Sequence, residues 1–371
     1  MAEKIKYYSL KNILEKNAQY NVIFGERSNG KTYAVLKYAF EQYMKTGYQL
    51  AIVRRWDEDF VGAQSARTCY DALMYNGKGD NDIEKISKGQ YTGVEYYAGR
   101  YYLTIRDEEN NKAKRTDRVI ALAFSITGSE HYKSASFPNV KYILFDEFMT
   151  RKFYLPNEFV LFGNIVSTIV RLNADTKIFM CANTVSKFEC PYFAEMGLKH
   201  IKQMKKGQID VYNYANSNLV VAVEYTEGVA KTKPSDVYFA FDNPHLKMIT
   251  EGAWEMDIYP HCPCKYLPRE IIFTYFILFD EELLQCEVVQ HDNLYFTFIH
   301  RKTTPLKDTK KDIIFTPEYN PQPNYFRKIN EPRTVLQKKI YSFFLNDKVF
   351  YQDNEIGEIV RAYLNFCVTG D

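Results

Sequence analysis

A glycine-rich segment near the amino terminus has the residue types and the spacing that bind phosphate. It matches the pattern G-x-x-x-x-G-K-[ST] at every fixed position, and its residues are Gly25, Glu26, Arg27, Ser28, Asn29, Gly30, Lys31 and Thr32. The glycines allow the backbone to wrap around phosphate, and the N–H groups of such a loop favour an anion. Lys31 is expected to neutralise phosphate oxygens, and Thr32 to offer its hydroxyl to Mg²⁺. The segment therefore predicts a site for ATP and Mg²⁺.

The elements predicted on either side of this P-loop support the interpretation. A short apolar strand is predicted over residues 20–24, and an amphipathic helix over residues 33–44. The alternative is a structural strand–turn–helix junction with an accidental Lys-Thr pair. A strand before the motif and a helix after it favour the phosphate site.

A second motif is an apolar run that ends in two acidic residues, Asp146 and Glu147. This is the Walker B pattern, in which Asp146 would hold Mg²⁺ directly or through water. Glu147 would orient or deprotonate the attacking water. Alone, the pattern is equally typical of a solvated strand end, but its occurrence with a P-loop favours the functional interpretation.

A third strand, predicted over residues 176–182, ends in Asn183 and Thr184. A polar side chain at this point can sense the γ-phosphate. Ordinary turn chemistry explains the same two residues, because Asn and Thr commonly follow strands. Both interpretations of Asn183 remain open.

Hydrolysis needs a cation to offset the charge that develops on the γ-phosphate, and several basic residues could supply it. Each of them could reach the nucleotide of a neighbouring subunit. Arg171 ends a helix predicted over residues 156–172, and Lys133 lies in the polar segment before Walker B. Arg54 and Arg55 end the predicted strand 48–53. A solvated or salt-bridged surface cation is the alternative for each, and Arg171 is the favoured arginine finger.

Composition limits the class of protein. The chain has 371 residues, enough for about two domains, and a net charge of +2, so there is no global basic field for nucleic acid. Seven cysteines without a paired motif, and no apolar leader, favour reduced thiols in the cytosol. No apolar run is long enough for a membrane span, so no membrane partner is expected.

Strands and helices alternate, which predicts an α/β fold with a parallel sheet over residues 1–197. Residues 56–128 interrupt the alternation with two β-rich runs around a charged tip, and we predict an inserted β-rich lid. Residues 198–229 are predicted as a linker that begins with a lysine-bearing helix and continues as a short β-rich stretch. Residues 230–371 are predicted as a small α+β domain with three strands and a final helix.

The order and spacing of these motifs resemble those of the DNA-packaging ATPases of small tailed phages, the phi29-like relatives of the large terminases. The resemblance implies a P-loop NTPase domain of the ASCE type and a C-terminal domain similar to a degenerate RNase H-like nuclease. It also implies a ring, pentameric in this family, that docks on the portal of a procapsid in the host cytoplasm. ATP hydrolysis at subunit interfaces would move double-stranded DNA inward. Lys133 and Arg171 match the positions of trans-acting basic residues.

An active nuclease would need several carboxylates around two metal ions. The strand 271–279 has no internal acid, and the acids at its exit suggest a hairpin turn. Further candidates are Asp353 and Glu358. Docking on a structural RNA or on the portal is therefore favoured for this domain.

Three basic clusters could contact the DNA backbone, although a solubilising surface is the default interpretation of each. The first is Lys112, Lys114 and Arg115, the second is Lys199, Lys202, Lys205 and Lys206, and the third is Arg301, Lys302, Lys307, Lys310 and Lys311.

Three other functions compete with a packaging motor. The first is another P-loop nucleic-acid machine, such as a helicase-like translocase or a repair ATPase, which single-stranded DNA would stimulate. The second is a nucleotide-gated scaffold with little turnover, against which Glu147 argues. The third is a small-molecule kinase, which has no evident need for the Asp-Glu pair or for so large a second domain.

Overall fold

The computed structural model describes residues 7–62, 66–75, 80–107, 112–132, 135–150, 154–171, 175–184, 190–215, 217–227, 257–306 and 310–369. The chain divides into two compact units, Met1–Trp254 and Glu255–Asp371.

The described part of the first unit has one sheet, in the order β3-β4-β5-β2-β6-β7-β1-β9-β8. The strands are β1 (Tyr20–Gly25), β2 (Gln49–Arg54), β3 (Gly93–Tyr97), β4 (Arg100–Arg106), β5 (Ala113–Ser125), β6 (Val140–Asp146), β7 (Lys177–Asn183), β8 (Ile209–Asn213) and β9 (Val220–Tyr225). The α-helices are α1 (Lys11–Leu14), α2 (Lys31–Thr46), α3 (Asp71–Met74), α4 (Asp82–Ile86), α5 (Glu158–Val170) and α6 (Pro191–Glu195).

Six adjacent strands, from β5 through β2, β6, β7 and β1 to β9, run parallel. Their apolar side chains alternate between two buried clusters, one on each face of the sheet. Phe24 and Phe145 pack with α5 on one face, while Ile23 and Leu144 pack with α2 on the other. Burial on both faces explains why these strands are almost continuously apolar. The predicted α/β parallel sheet is confirmed.

The predicted lid and the predicted linker both contain strands of the main sheet. Residues 56–128 are rich in β-structure, as predicted, but β5 pairs parallel with β2, and β3 and β4 continue the same sheet antiparallel. The interval therefore extends the main sheet. In the predicted linker 198–229, β9 pairs parallel with β1 and β8 pairs with β9, so this segment belongs to the sheet. Its lysine-bearing start has only a short 3₁₀ turn, Ile201–Gln203, and not the predicted helix.

The second unit contains a sheet in the order β14-β13-β10-β11-β12-β15 among its described residues. Its strands are β10 (Ile271–Phe279), β11 (Glu282–His291), β12 (Leu294–Arg301), β13 (Ile314–Phe315), β14 (Tyr325–Phe326) and β15 (Val349–Tyr351), and its α-helices are α7 (Val335–Leu345) and α8 (Asn354–Thr369). The three predicted strands and the final helix are present. Helix α7 was not predicted.

The acidic residues that the sequence singled out in this unit have structural roles. Asp280 and Glu281 form the turn between β10 and β11 with φ values of 55° and 66°, as the predicted hairpin requires. Asp353 accepts a hydrogen bond from the N–H of Ile356 near the start of α8. Glu358 contacts Arg361 at 3.2 Å.

Over the described ranges of the whole chain, no helix has the length and apolar character that a membrane span needs.

Candidate functional site

The P-loop begins where β1 ends, at the carboxyl edge of the parallel sheet. Gly25 lies so close to Thr226 that a Cβ on the glycine would be 1.9 Å from the threonine hydroxyl oxygen. Ser28 and Gly30 have φ values of 62° and 93°, in the left-handed region that glycine favours. These two residues turn the chain sharply into the N-terminus of α2.

Lys31, the first residue of α2, is 5% exposed. Its Nζ donates to the carbonyl oxygen of Glu26 at 2.6 Å and to that of Gly25 at 3.3 Å. Asn29 Oδ1 lies 3.1 Å away, and Asn183 Oδ1 lies 3.4 Å away. Burial lowers the pKa of Lys31 to about 8. The loop thus holds one amino group at its centre, where the motif predicts the phosphate contact.

Two residues outside the motif support the loop, and the sequence did not indicate either. Thr226, which follows β9, accepts a hydrogen bond at 2.7 Å from the Nδ2 of Asn29, which is fully buried. The backbone N–H of Tyr8 donates to the carbonyl of Asn29 at 3.0 Å. No local spacing predicts these contacts, because Thr226 lies almost two hundred residues from the loop.

The P-loop and Walker B meet through a direct hydrogen bond. The hydroxyl of Thr32 donates to Oδ1 of Asp146 at 2.7 Å. Burial raises the pKa of Asp146, while Arg54 and the Thr32 hydroxyl oppose the shift. A hydroxyl and a carboxylate at this distance are hard oxygen donors of the kind that Mg²⁺ prefers. The donor set therefore fits the predicted metal.

Arg54 lies inside the site of its own chain. Its Nη1 is 3.0 Å from Asp146 and 3.2 Å from Glu147, and its side chain is only 5% exposed. The expectation that Arg54 lies at the surface, or reaches a neighbour's nucleotide, is therefore wrong. The end of β2 lies beside the end of β6, so a buried cation here compensates the two acidic residues.

Arg55 is also buried, and it points to the opposite face of the sheet. It pairs with Glu158 at the start of α5, with Nε to Oε2 at 2.8 Å and Nη2 to Oε1 at 2.9 Å. Because Arg55 and Glu158 are both buried and belong to the same chain, Arg55 is not available to a neighbouring subunit. Glu158 was not predicted, since an acid in the first turn of a helix is typical of ordinary helix capping.

Glu147 itself has a φ of 59°, and its side chain is 64% exposed. The carboxylate is therefore accessible to solvent beside the P-loop edge. This placement suits the predicted role of orienting a water molecule. Asn183, which ends β7, is also at this edge and close to Lys31, so the structure brings both residues to the predicted site.

Among the residues that the structure describes, no side chain of the remaining predicted site residues forms a hydrogen bond or an ion pair with Lys31, Thr32 or Asp146. Arg171 follows α5 as predicted and is exposed, and among the described residues its guanidinium has no ion-pair partner. Lys133 lies outside the described residues. Within the loop, Glu26 pairs with Lys206 at 3.1 Å, and the side chains of Arg27 and Ser28 face solvent.

The chain matches a known protein family. Residues 2–73 and 111–247, more than half of the chain, match the family described as "Podovirus DNA encapsidation protein (Gp16)". The chain belongs to the podovirus DNA encapsidation protein family. The matched ranges of this encapsidation family include the P-loop, Asp146, Glu147 and Asn183.

Individual proteins with similar sequences carry names that are consistent with this family. The proteins named "DNA packaging protein" of Bacillus phages PZA and phi29 are each 24% identical to this chain over 236 residues, which is 62% of this chain and 61% of theirs. The chain thus spans less than two thirds of the length of these encapsidation-family relatives.

Two solved structures share the fold. The "Phi-28 gp11 DNA packaging Motor" has a TM-score of 0.50 and 18% identity, with 98% of both chains covered. The "bacteriophage Phi-29 viral genome packaging motor assembly" has a TM-score of 0.52 and 17% identity, with 96% of this chain and 99% of that chain covered.

Proposed function

We propose that this chain is an ATP-driven motor that moves double-stranded DNA into a viral procapsid. The observation that carries the proposal is the 2.7 Å hydrogen bond between Thr32 and Asp146. It joins the phosphate-binding loop to the acidic strand end in a chain of the encapsidation family. A P-loop with a paired metal carboxylate and an exposed second acid, Glu147, is suited to hydrolyse a nucleotide as well as to bind it.

Each residue of the site has a chemical task in this proposal. The N–H groups of residues 25–32 and the ammonium of Lys31 bind the phosphate oxygens of ATP. Thr32 and Asp146 hold Mg²⁺, which neutralises phosphate charge when it is bound. Glu147 orients the attacking water and accepts its proton. Asn183, close to Lys31, is placed to contact the γ-phosphate.

The finer features follow from the family resemblance. In this proposal the domain is of the ASCE type, and the position of β7 between β1 and β6 supports that assignment. The subunits form a ring, pentameric by resemblance, docked on the portal of a procapsid in the host cytoplasm. Arg171, exposed after α5, acts on a neighbour's ATP, and Lys133 is a second trans-acting candidate. The second unit, Glu255–Asp371, serves as a vestigial-nuclease-like docking domain for portal or structural RNA.

The direct test is steady-state ATP hydrolysis by the full chain, alone, with duplex DNA, with single-stranded DNA, and with empty procapsids. Glu147→Gln is the matched variant, because it keeps the size of the side chain and removes its basic oxygen. We expect duplex DNA or procapsids to stimulate turnover in the wild type. Glu147→Gln should bind ATP with unchanged affinity and lose turnover by at least about 100-fold, as for other removed general bases.

The outcomes separate the competing functions. Stimulation by single-stranded DNA in preference to duplex would favour a helicase-like translocase. Binding of ATP without turnover in every condition would favour a nucleotide-gated scaffold and would overturn the motor. Equal turnover in wild type and Glu147→Gln would remove Glu147 from the mechanism.

A further inference from the structure

A buried ion pair lies directly behind the segment that carries Glu147. The side chains of Arg55 and Glu158 are 6% and 0% exposed, and they meet in a bidentate contact at 2.8 and 2.9 Å. No step assigned above to the phosphate-binding site uses this pair. Burial of the pair has an unfavourable free energy of desolvation, because both charges lose their contacts with water. A structural or functional role would account for a pair that carries this cost.

The carboxylate of Glu158 is held by more than Arg55. The hydroxyl of Tyr192 donates to its Oε1 at 2.8 Å, and the backbone N–H of Leu155 donates to its Oε2 at 2.9 Å. Four hydrogen bonds to two buried oxygens fix this carboxylate in one orientation. Glu158 is therefore a rigid anchor on the first turn of α5.

The guanidinium of Arg55 is the link between this anchor and the catalytic segment. Its Nη1 donates to the carbonyl oxygen of Glu147 at 3.2 Å, and its Nη2 donates to that of Phe148 at 2.7 Å. Two consecutive peptide groups directly after β6 are thus tied to one planar side chain.

The backbone at this point needs such support. Glu147 has a φ of 59°, a left-handed conformation that is unfavourable for a residue with a Cβ and that persists only where its surroundings impose it. Arg55 binds the carbonyl of this same residue. The side chain of Glu147, by contrast, is 64% exposed, and its own contact, to Arg54, does not set its backbone. The direction of the carboxylate therefore depends on the backbone that Arg55 holds.

We propose that Arg55 and Glu158 are positioning residues that aim the carboxylate of Glu147 at the attacking water. The pair touches neither phosphate nor metal ligand, and acts only through the backbone of residues 147 and 148. This inference rests on the proposed function, namely ATP hydrolysis that depends on Glu147. A misplacement of about 1 Å in a catalytic group costs about 100-fold in rate, so a loosened clamp has a measurable effect.

The experiment compares conservative variants of the full chain in the condition in which the wild type turns over. Arg55→Lys keeps the charge but cannot bridge two carbonyls and a carboxylate together. Glu158→Gln keeps the shape but removes the negative charge of the anchor. We expect kcat to fall by about 10- to 100-fold in both, with the KM for ATP and the Kd of a fluorescent ATP analogue within about two-fold of wild type. Arg100→Lys, the same change at an exposed position of β4, is the control and should match wild type.

A double variant separates positioning from general support of the fold. If Arg55 acts through Glu147, then Arg55→Lys should cost little further in a Glu147→Gln background, because the group being aimed is already disabled. An equal loss in both backgrounds would overturn the proposal. So would a loss of ATP binding or of the cooperative thermal transition together with turnover, which would assign the pair to folding.

Different results would exclude ATP hydrolysis by this chain and the positioning role of Arg55. If wild type shows no turnover that depends on Glu147, the proposed function fails and this inference falls with it. If wild type turns over and Arg55→Lys keeps its full kcat, only the positioning role is wrong.

Discussion

Arg54 and Asp146 form an ion pair across neighbouring parallel strands, with 3.0 Å between Nη1 and Oδ2. Val53 and Phe145, the residues just before them, are partners in the β2–β6 register, so both charged residues leave the sheet at the same point. The cation opposes the effect of burial on the pKa of Asp146. An arginine of the chain itself thus keeps the predicted metal ligand closer to its ionised form.

Removing this cation should leave a largely buried carboxylate without its partner. We expect Arg54→Met to lower the free energy of unfolding by about 3 kcal/mol, the usual cost of breaking a buried pair. Adding Asp146→Asn should recover part of that loss, because the unpaired charge is then absent. Chemical denaturation followed by circular dichroism measures both. A double variant that is less stable than Arg54→Met would contradict the pairing as the source of the effect.

Lys31 supplies the positive charge at the centre of the P-loop. We expect Lys31→Ala to weaken ATP binding by at least about 100-fold, since charge-assisted hydrogen bonds worth about 3 kcal/mol are lost. Titration with a fluorescent ATP analogue measures the affinity. Lys206→Ala is the matched control: this lysine pairs with Glu26 of the same loop but lies at the surface, and its loss should change the affinity by less than about three-fold. Equal losses in the two variants would mean that only overall charge matters.

The sequence predicted the centre of the fold better than its edges, for a physical reason. Strands such as Val140–Asp146 are largely buried on both faces, so most of their residues are apolar and the strands are easy to recognise. Strand Ile209–Asn213 lies at the edge of the sheet, is only partly buried, and alternates polar with apolar residues. Its weak pattern was interpreted as part of a linker, and the pairing of β9 with β1 is a long-range contact that no local pattern encodes.

The same distinction holds within the site. Lys31 and Thr32 belong to a motif whose spacing is a requirement of phosphate-binding loops, so local sequence was enough to single them out. The partners of Arg54 and Arg55 are about a hundred residues away, and both arginines were expected at the surface or in trans. Glu158 has no local signature that distinguishes it from a helix-capping acid. Contacts that only the tertiary fold creates are what the sequence could not show.

In the second unit, His300 and Glu287 form a pair that should make stability depend on pH. The hydrogen bond from His300 Nε2 to Glu287, 3.4 Å long, raises the pKa of His300 although burial lowers it. Burial would raise the pKa of Glu287, but hydrogen bonds from His300, Tyr266 and Gln285 lower it. The imidazolium is thus stabilised by folding, and so is the carboxylate.

The sign of the effect follows from linkage. A raised histidine pKa contributes stability below the pKa of the unfolded side chain, about 6.5, and that stability is lost as the pH rises through the folded pKa. The lowered pKa of Glu287 contributes above the unfolded value and is lost as the pH falls. We expect the midpoint temperature of the thermal transition that reports this unit, measured on the full chain, to fall as the pH rises above about 6.5. His300→Gln should reduce the dependence of this midpoint on pH. An unchanged slope in His300→Gln would exclude the pair as its cause.

Arg171 is the candidate that acts between subunits. It is exposed after the last turn of α5, and in the proposed ring it is the residue assigned to a neighbour's ATP. We expect Arg171→Ala to bind ATP normally but to lose about 1,000-fold in the ATPase rate of procapsid-bound assemblies, as for other arginine fingers. Arg100→Ala, at another exposed position, is the control.

Mixing subunits tests whether Arg171 acts in trans. A Glu147→Gln subunit cannot hydrolyse its own ATP but still presents an intact Arg171 to its neighbour. An Arg171→Ala subunit has the opposite combination, with an intact site of its own and no arginine to offer. Where the two alternate in the right order, one interface is complete, so mixtures should recover part of the ATPase rate that each variant alone has lost. Normal hydrolysis by assembled Arg171→Ala rings, or no recovery at any mixing ratio, would show that Arg171 is not the trans-acting residue.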